Sequence, residues 1–156
     1  MTPIISLAIA CLLSLTACTI TKNLQASTDC KNVNQFDKTA NNGFYLVDPT
    51  MREPNENTAV IVGEPLVTFD DIESVDLYPD QDNQLSIYFM IDFDTGLKLS
   101  GITQHHISEY IALIVNNKIA NVSQIQGAIG TSFISGRFDS NQEAKQIYSN
   151  IKCHIK

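Results

Sequence analysis

Charge is scarce in this sequence. Of its 156 residues 17% are charged, and the ten Lys and Arg form no cluster. With 17 acidic residues the formal charge is -7, so a phosphate backbone would be repelled and nucleic acid is excluded as an expected partner. The acidic side chains concentrate between Asp48 and Asp94, where Arg52 is the sole base. An apolar fraction of 44% nevertheless belongs to a folded domain rather than a disordered acidic tail. Long apolar runs are also missing. The one extended run, IISLAIACLLSL over residues 4–15, is too short for a permanent membrane span. The length suits a single domain.

Catalytic signatures are lacking as well. Ser135 stands in I-S-G-R, not in a G-x-S-x-G elbow, and no Asp–His pair is placed for a triad. Gly127, Gly130 and Gly136 are not followed by the Lys of a phosphate loop. Asp80, Asp82 and Gln84 open like a calcium loop, but Leu85 and Ile91 occupy the positions that need Gly and Glu. His105 and His106 are adjacent, so on a helix they point about 100° apart, and one of them with Glu109 offers only a weak metal site. Asp92 and Asp94, two apart at a strand end, share a face and are expected to be solvated. Nothing converges, so the chain is expected to be no enzyme and to carry no cofactor and no metal.

What is present first sets the compartment. The apolar run ends in Leu15-Thr16-Ala17-Cys18, a small-residue cleavage site followed by cysteine. This tetrapeptide resembles the bacterial lipobox, which implies diacylglyceryl and N-acyl (palmitate-class) chains on Cys18, with cleavage leaving it as the first mature residue. Several chains anchor stably because each buried methylene adds about 0.8 kcal/mol. The n-region, Met1-Thr2-Pro3, departs from the pattern in having no Lys or Arg. An ordinary signal peptide with a cysteine after the cut, or a buried N-terminal helix, also fits the run. Thr19, not Asp, follows the cysteine, and resemblance to enterobacterial lipoproteins then favours the outer membrane over the inner, with the domain facing the periplasm. The expected division is a signal peptide over 1–17, a lipidated tether over 18–42 and one domain over 43–156. Of the four cysteines, Cys30 and Cys153 remain after Cys11 and Cys18, and an even pair in an exported protein suggests a disulfide. Two free thiols, or a metal site using His154, are the alternatives.

Residues 87–138 organise the domain. Ile87, Phe89, Ile91 and Phe93 alternate as one face of a strand spanning 85–93. Earlier strands are expected over 44–47, 59–63 and 66–69, with Glu64-Pro65 as a turn, and over 75–78, joined to the 85–93 strand by the Asp80-Gln81-Asp82-Asn83 turn. A helix is expected over 95–110, broken near Gly101, with Leu97, Ile102, Ile107 and Tyr110 as its buried stripe. Strands over 111–115 and 119–122 flank an Asn116-Asn117 turn. A short strand over 131–135 precedes a last helix opened by the capping box Ser140-Asn141-Gln142-Glu143, with Ala144, Ile147, Tyr148 and Ile151 on its buried face.

From Gly63 to Ile151 the pattern resembles the head subdomain of the first large periplasmic domain of SecD, the Sec translocation accessory protein. The matching features are Asp94 and Gly96 after a strand, the hairpin IALIVNNKIANVSQI over 111–125, and a closing unit of Ile134, Gly136, Phe138, Glu143, Ala144 and Ile151. Asn116-Asn117 replaces the usual Asp-Gly, and Ser123 stands where proline would follow the second strand. The resemblance implies an α+β fold, a small antiparallel sheet with two main helices packed on one face, and polypeptide binding without a proton-driven motor. The expected partners are the membrane, through the lipid on Cys18, and an unfolded polypeptide or envelope protein. A structural or assembly lipoprotein with one fixed partner is the alternative class.

Overall fold

A computed structural model of the chain describes Cys30 and residues 41–155. The expected signal peptide, Cys18 and most of the expected tether lie outside the described residues. Seven strands and two helices follow in the order β1 (Gly43–Val47), β2 (Ile61–Thr68), β3 (Ile72–Pro79), β4 (Leu85–Ile91), α1 (Phe93–Thr103), β5 (Tyr110–Val115), β6 (Lys118–Gln124), β7 (Ser132–Ile134) and α2 (Asn141–His154). All described pairings are antiparallel. The α+β class is as expected, but the strands divide between two sheets, ordered β2-β1-β5-β6 and β3-β4-β7.

β4 shows why the pattern works. Leu85, Ile87, Phe89 and Ile91 are buried on one face while Tyr88 and Met90 turn away. The two sheets meet through an aromatic cluster. Phe44 of β1 lies edge-on to Phe89 and Phe133, with centroids 4.9 and 5.0 Å away, and Phe89 stacks on Phe133 at 5.3 Å. Such pairs contribute about 0.5–1.5 kcal/mol each beyond area burial. α2 lies against β3 and β4, burying Ala144, Ile147, Tyr148 and Ile151. Its start is capped as the sequence indicates, with Ser140 Oγ accepting from Glu143 N at 3.1 Å. Asn116 and Asn117 take φ of 52° and 61°, the left-handed pair that a two-residue hairpin turn demands.

Three local expectations are corrected. β2 runs unbroken through Glu64-Pro65 instead of turning there. On this edge strand Pro65 falls among the residues with no partner in the β1 register, so it removes no paired position, and the extra residues are absorbed in a register shift between the Phe44 and Leu46 pairs, beside Gly63 at φ 73°. Phe93 is not on the β4 face. It opens α1 and is 67% exposed, because Asp92 ends the strand and caps the helix through Thr95 N at 3.0 Å. That bond also means Asp92 is not simply solvated.

The third correction concerns the buried face of α1. Leu97, Ile102 and Ile107 are exposed, and Gly96, Leu99 and Thr103 are buried instead. The helix docks by its smallest residue: a Cβ at Gly96 would stand 2.5 Å from Thr131 Cγ2 and 2.9 Å from Thr131 Cα. Thr103 Oγ1 donates to Leu99 O and accepts from Ile129 N, each at 2.8 Å, so the hydroxyl is satisfied in the core. The helix ends at Thr103, and turns occupy the stretch to Glu109.

Candidate functional site: a groove between two strand edges

A sheet of four strands and a sheet of three leave four edges, and strand edges are where other chains pair. Two are blunted. β2 carries Pro65 and its irregular register. β3 ends on Pro79, shifts register beside Glu73, and has its Val75 carbonyl reached by Lys152 Nζ at 3.5 Å.

The other two edges, β6 and β7, line a groove of about 510 Å³. Its floor is apolar, built from Phe44, Ile111, Leu113, Ile125 and Phe133, with Asn121 and Gln124 among the polar residues of its wall. Backbone direction follows from the ladder. Ser135 N donates to Ile87 O and Ile91 N to Thr131 O, so alternate residues Ser132 and Ile134 turn their N–H and C=O away from β4. Ile125 N donates to Glu109 O, so Val122 and Gln124 likewise turn theirs away from β5. Both unblunted edges therefore present backbone donors and acceptors on the groove side.

One end of the groove is clasped by polar side chains. Gly136 N donates to Ser123 Oγ at 2.9 Å, Ser123 Oγ donates to Asn121 Oδ1 at 2.7 Å, and Asn121 Nδ2 donates to Arg137 O at 2.8 Å. Asn121 is 3% exposed, so this chain of bonds satisfies a buried amide. A Cβ at Gly136 would overlap Ser123 Oγ and lie 3.0 Å from Asn121 Oδ1, which fixes glycine at that position. Ser123, the departure from proline in the hairpin, thus carries the clasp. Ser135 fills a structural place: its Oγ accepts from Ile87 N at 3.0 Å and donates to Gly136 O at 3.1 Å. Its buried hydroxyl replaces a carbonyl in the ladder to β4.

The residues weighed for metal or acid–base chemistry are dispersed. Arg137 Nη2 stands 2.6 Å from Asp80 Oδ2 and 3.6 Å from Asp82 Oδ2, so a guanidinium occupies the mouth of the calcium-like turn. Partial burial pushes the Asp80 carboxyl up, but N–H groups of Gln84 and Asp82 together with Arg137 outweigh it and hold the group below its ordinary value. Hydrogen bonds from Thr95 do the same for Asp92, and from Thr50 for Asp48. His106 Nδ1 is 2.8 Å from Glu109 Oε2, while His105 Nε2 lies 3.4 Å from Gln104 Nε2. Among the described residues no group of three or more His, Cys, Asp or Glu comes together. Cys30 is bonded to Cys153, with Cα atoms 5.5 Å apart and a sequence separation of 123.

Two antiparallel sheets, a late capped helix and a groove between strand edges define an α+β domain. Residues 46–152 match the family described as SecDF, P1 head subdomain, and the chain belongs to it. Two solved structures share the fold. One, described as "Structure and function of a membrane component SecDF that enhances protein export", is 16% identical with a TM-score of 0.56, covering 71% of this chain and 61% of its own. The other, described as "Crystal structure of SecDF in Super-membrane-facing form", is 16% identical with a TM-score of 0.55, covering 71% of this chain and 18% of its own. This chain therefore spans less than two thirds of either relative. No curated protein sequence matches it.

The sequence missed the groove. β6 and β7 were each recognisable as strands, but that both lie at edges is a property of sheet order. The readable signal was Gly136, whose place between two polar side chains needs the fold to interpret.

Proposed function

We propose that this is a non-catalytic head domain, lipid-anchored through Cys18 on the periplasmic side of a bacterial membrane, with the outer membrane favoured over the inner. Its groove takes an extended polypeptide segment. The observation that carries this reading is the contrast between edges: β2 and β3 carry Pro65 and Pro79 and β3 is reached by Lys152, whereas β7 and β6, whose own register shift lies at Ala120 before Val122, turn backbone groups toward an apolar groove. A strand added there would gain main-chain hydrogen bonds, and alternate side chains would enter the apolar floor. The floor suits β-branched and aromatic residues. The acidic domain also disfavours acidic segments.

The test is binding of a fluorescent extended apolar peptide to the purified domain, compared with Val122→Pro. Proline at 122 removes an N–H turned away from β5 and so spares the ladder. The expected result is saturable binding weakened about tenfold or more by the variant, the equivalent of one lost backbone hydrogen bond plus misfit. Equal binding by both proteins would remove the β6 edge from the mechanism. The second reading, docking to one fixed envelope partner, is favoured by exposed Phe93 and Leu97 on α1. It predicts no affinity for generic unfolded peptide.

A further inference from the structure

The domain is entered at one place and held at another. Asn41 N donates to Asn117 Oδ1 at 2.7 Å, and Asn116 N donates to Asn42 Oδ1 at 2.6 Å, so the chain reaches β1 beside the β5–β6 turn. Cys30 is bonded elsewhere, to Cys153 in the last turn of α2. On a helix, Cys153 sits opposite the side that buries Ala144, Ile147, Tyr148 and Ile151, so the bond is made on the outer face. Its neighbour His154 is docked, with its ring 5.9 Å from that of Phe69 and Nε2 3.6 Å from Asp70 Oδ1. The end of α2 is thus a seated attachment point.

We propose that the Cys30–Cys153 bond positions the anchor: it moves the point where the tether leaves the domain from the β5–β6 turn to the C-terminal end of α2. This rests on the reading of Cys18 as the lipidated residue. About 12 residue steps separate Cys18 from Cys30 and about 23 separate it from Asn41, at no more than ~3.6 Å per step. The bond therefore lowers the greatest distance between membrane and attachment point from about 80 Å to about 40 Å. It also turns the α2 end toward the membrane and takes the span from Cys30 to Asn41 out of the tether's length. Height and orientation are both set by one covalent link.

The test uses the mature protein purified from membranes and bound to a supported bilayer, with the height of the protein layer read by neutron reflectometry. Ten Gly and Ser residues are inserted either between Cys18 and Cys30 or between Cys30 and Asn41, leaving every described side chain in place. With the disulfide intact, the first insertion raises the layer and the second does not. After reduction both raise it. A second insertion that raises the oxidised layer as much as the first overturns the proposal while leaving the anchor reading intact. Flotation of the same protein with vesicles tests the anchor separately: failure to float removes that reading, and the proposal with it.

Discussion

Replacing Gly136 with alanine tests whether the polar clasp closes the end of the groove. The new Cβ would overlap Ser123 Oγ and press on Asn121 Oδ1. Gly136 is not among the residues at positive φ, so alanine is tolerated by the backbone and the cost is one of contact. Ser123 must rotate away, which breaks the bonds from Gly136 N and to Asn121 Oδ1. Two hydrogen bonds at about 0.5–1.5 kcal/mol each give about 1–3 kcal/mol, less up to about 1 kcal/mol returned by the stiffer unfolded chain. A loss of about 1–2 kcal/mol corresponds to a fall in Tm of roughly 4–10 °C for a domain of this size. The assay is thermal and urea unfolding of Gly136→Ala beside Gly127→Ala, where a Cβ meets nothing within 4 Å. Gly127→Ala should stay within about 0.5 kcal/mol of the parent or gain slightly. Adding Ser123→Ala to Gly136→Ala removes the clashing oxygen, so the double variant should lose less than the sum of the singles. A Gly136→Ala protein as stable as Gly127→Ala would refute the reasoning.

Other consequences are open to the same measurements. In α1, Gly96→Ala should destabilise by about 1–3 kcal/mol because Thr131 backbone atoms cannot yield, whereas Gly101→Ala, facing open space in the same helix, should stabilise by up to about 1 kcal/mol. Replacing both Cys30 and Cys153 with serine should cost up to about 5 kcal/mol by the loop-entropy relation, read as a lower urea midpoint under non-reducing conditions. The carboxyls of Asp48, Asp80 and Asp92 are all held below their ordinary values in the folded state. Their contribution is therefore full above about pH 4 and is lost as pH falls through the folded values, because the unfolded chain takes up protons first. Acid unfolding should show this slope, and Asp92→Asn should flatten it.

What the sequence made legible was local and apolar. The alternation of Leu85, Ile87, Phe89 and Ile91, the Ser140 cap with the stripe through Ile151, and the Asn116-Asn117 turn each carry their own signal within a few residues. α1 did not, because its buried face is written in Gly96 and Thr103 while Leu97 and Ile107 point outward. Hydrophobicity cannot find a helix that docks through a glycine. Proline reads as a break, so the sequence divides β2 at Glu64-Pro65, and only its place in a register shift of an edge strand makes it harmless. The groove needed sheet order, and the clasp joins Asn121 and Ser123 to Gly136 and Arg137 across more than ten residues. The resemblance to the SecD head supplied the fold from glycine and turn positions; it carried no information on which edges stay open.

The central claim is that β6 and β7 are the edges a polypeptide pairs with. Amide hydrogen exchange of the purified domain, with and without an extended apolar peptide, tests it residue by residue. Protection rising at Val122 and Gln124 or at Ser132 and Ile134, with β2 and β3 unchanged, is the predicted result. Protection confined to α1 around Phe93 and Leu97, or none in the groove at peptide saturation, would contradict it.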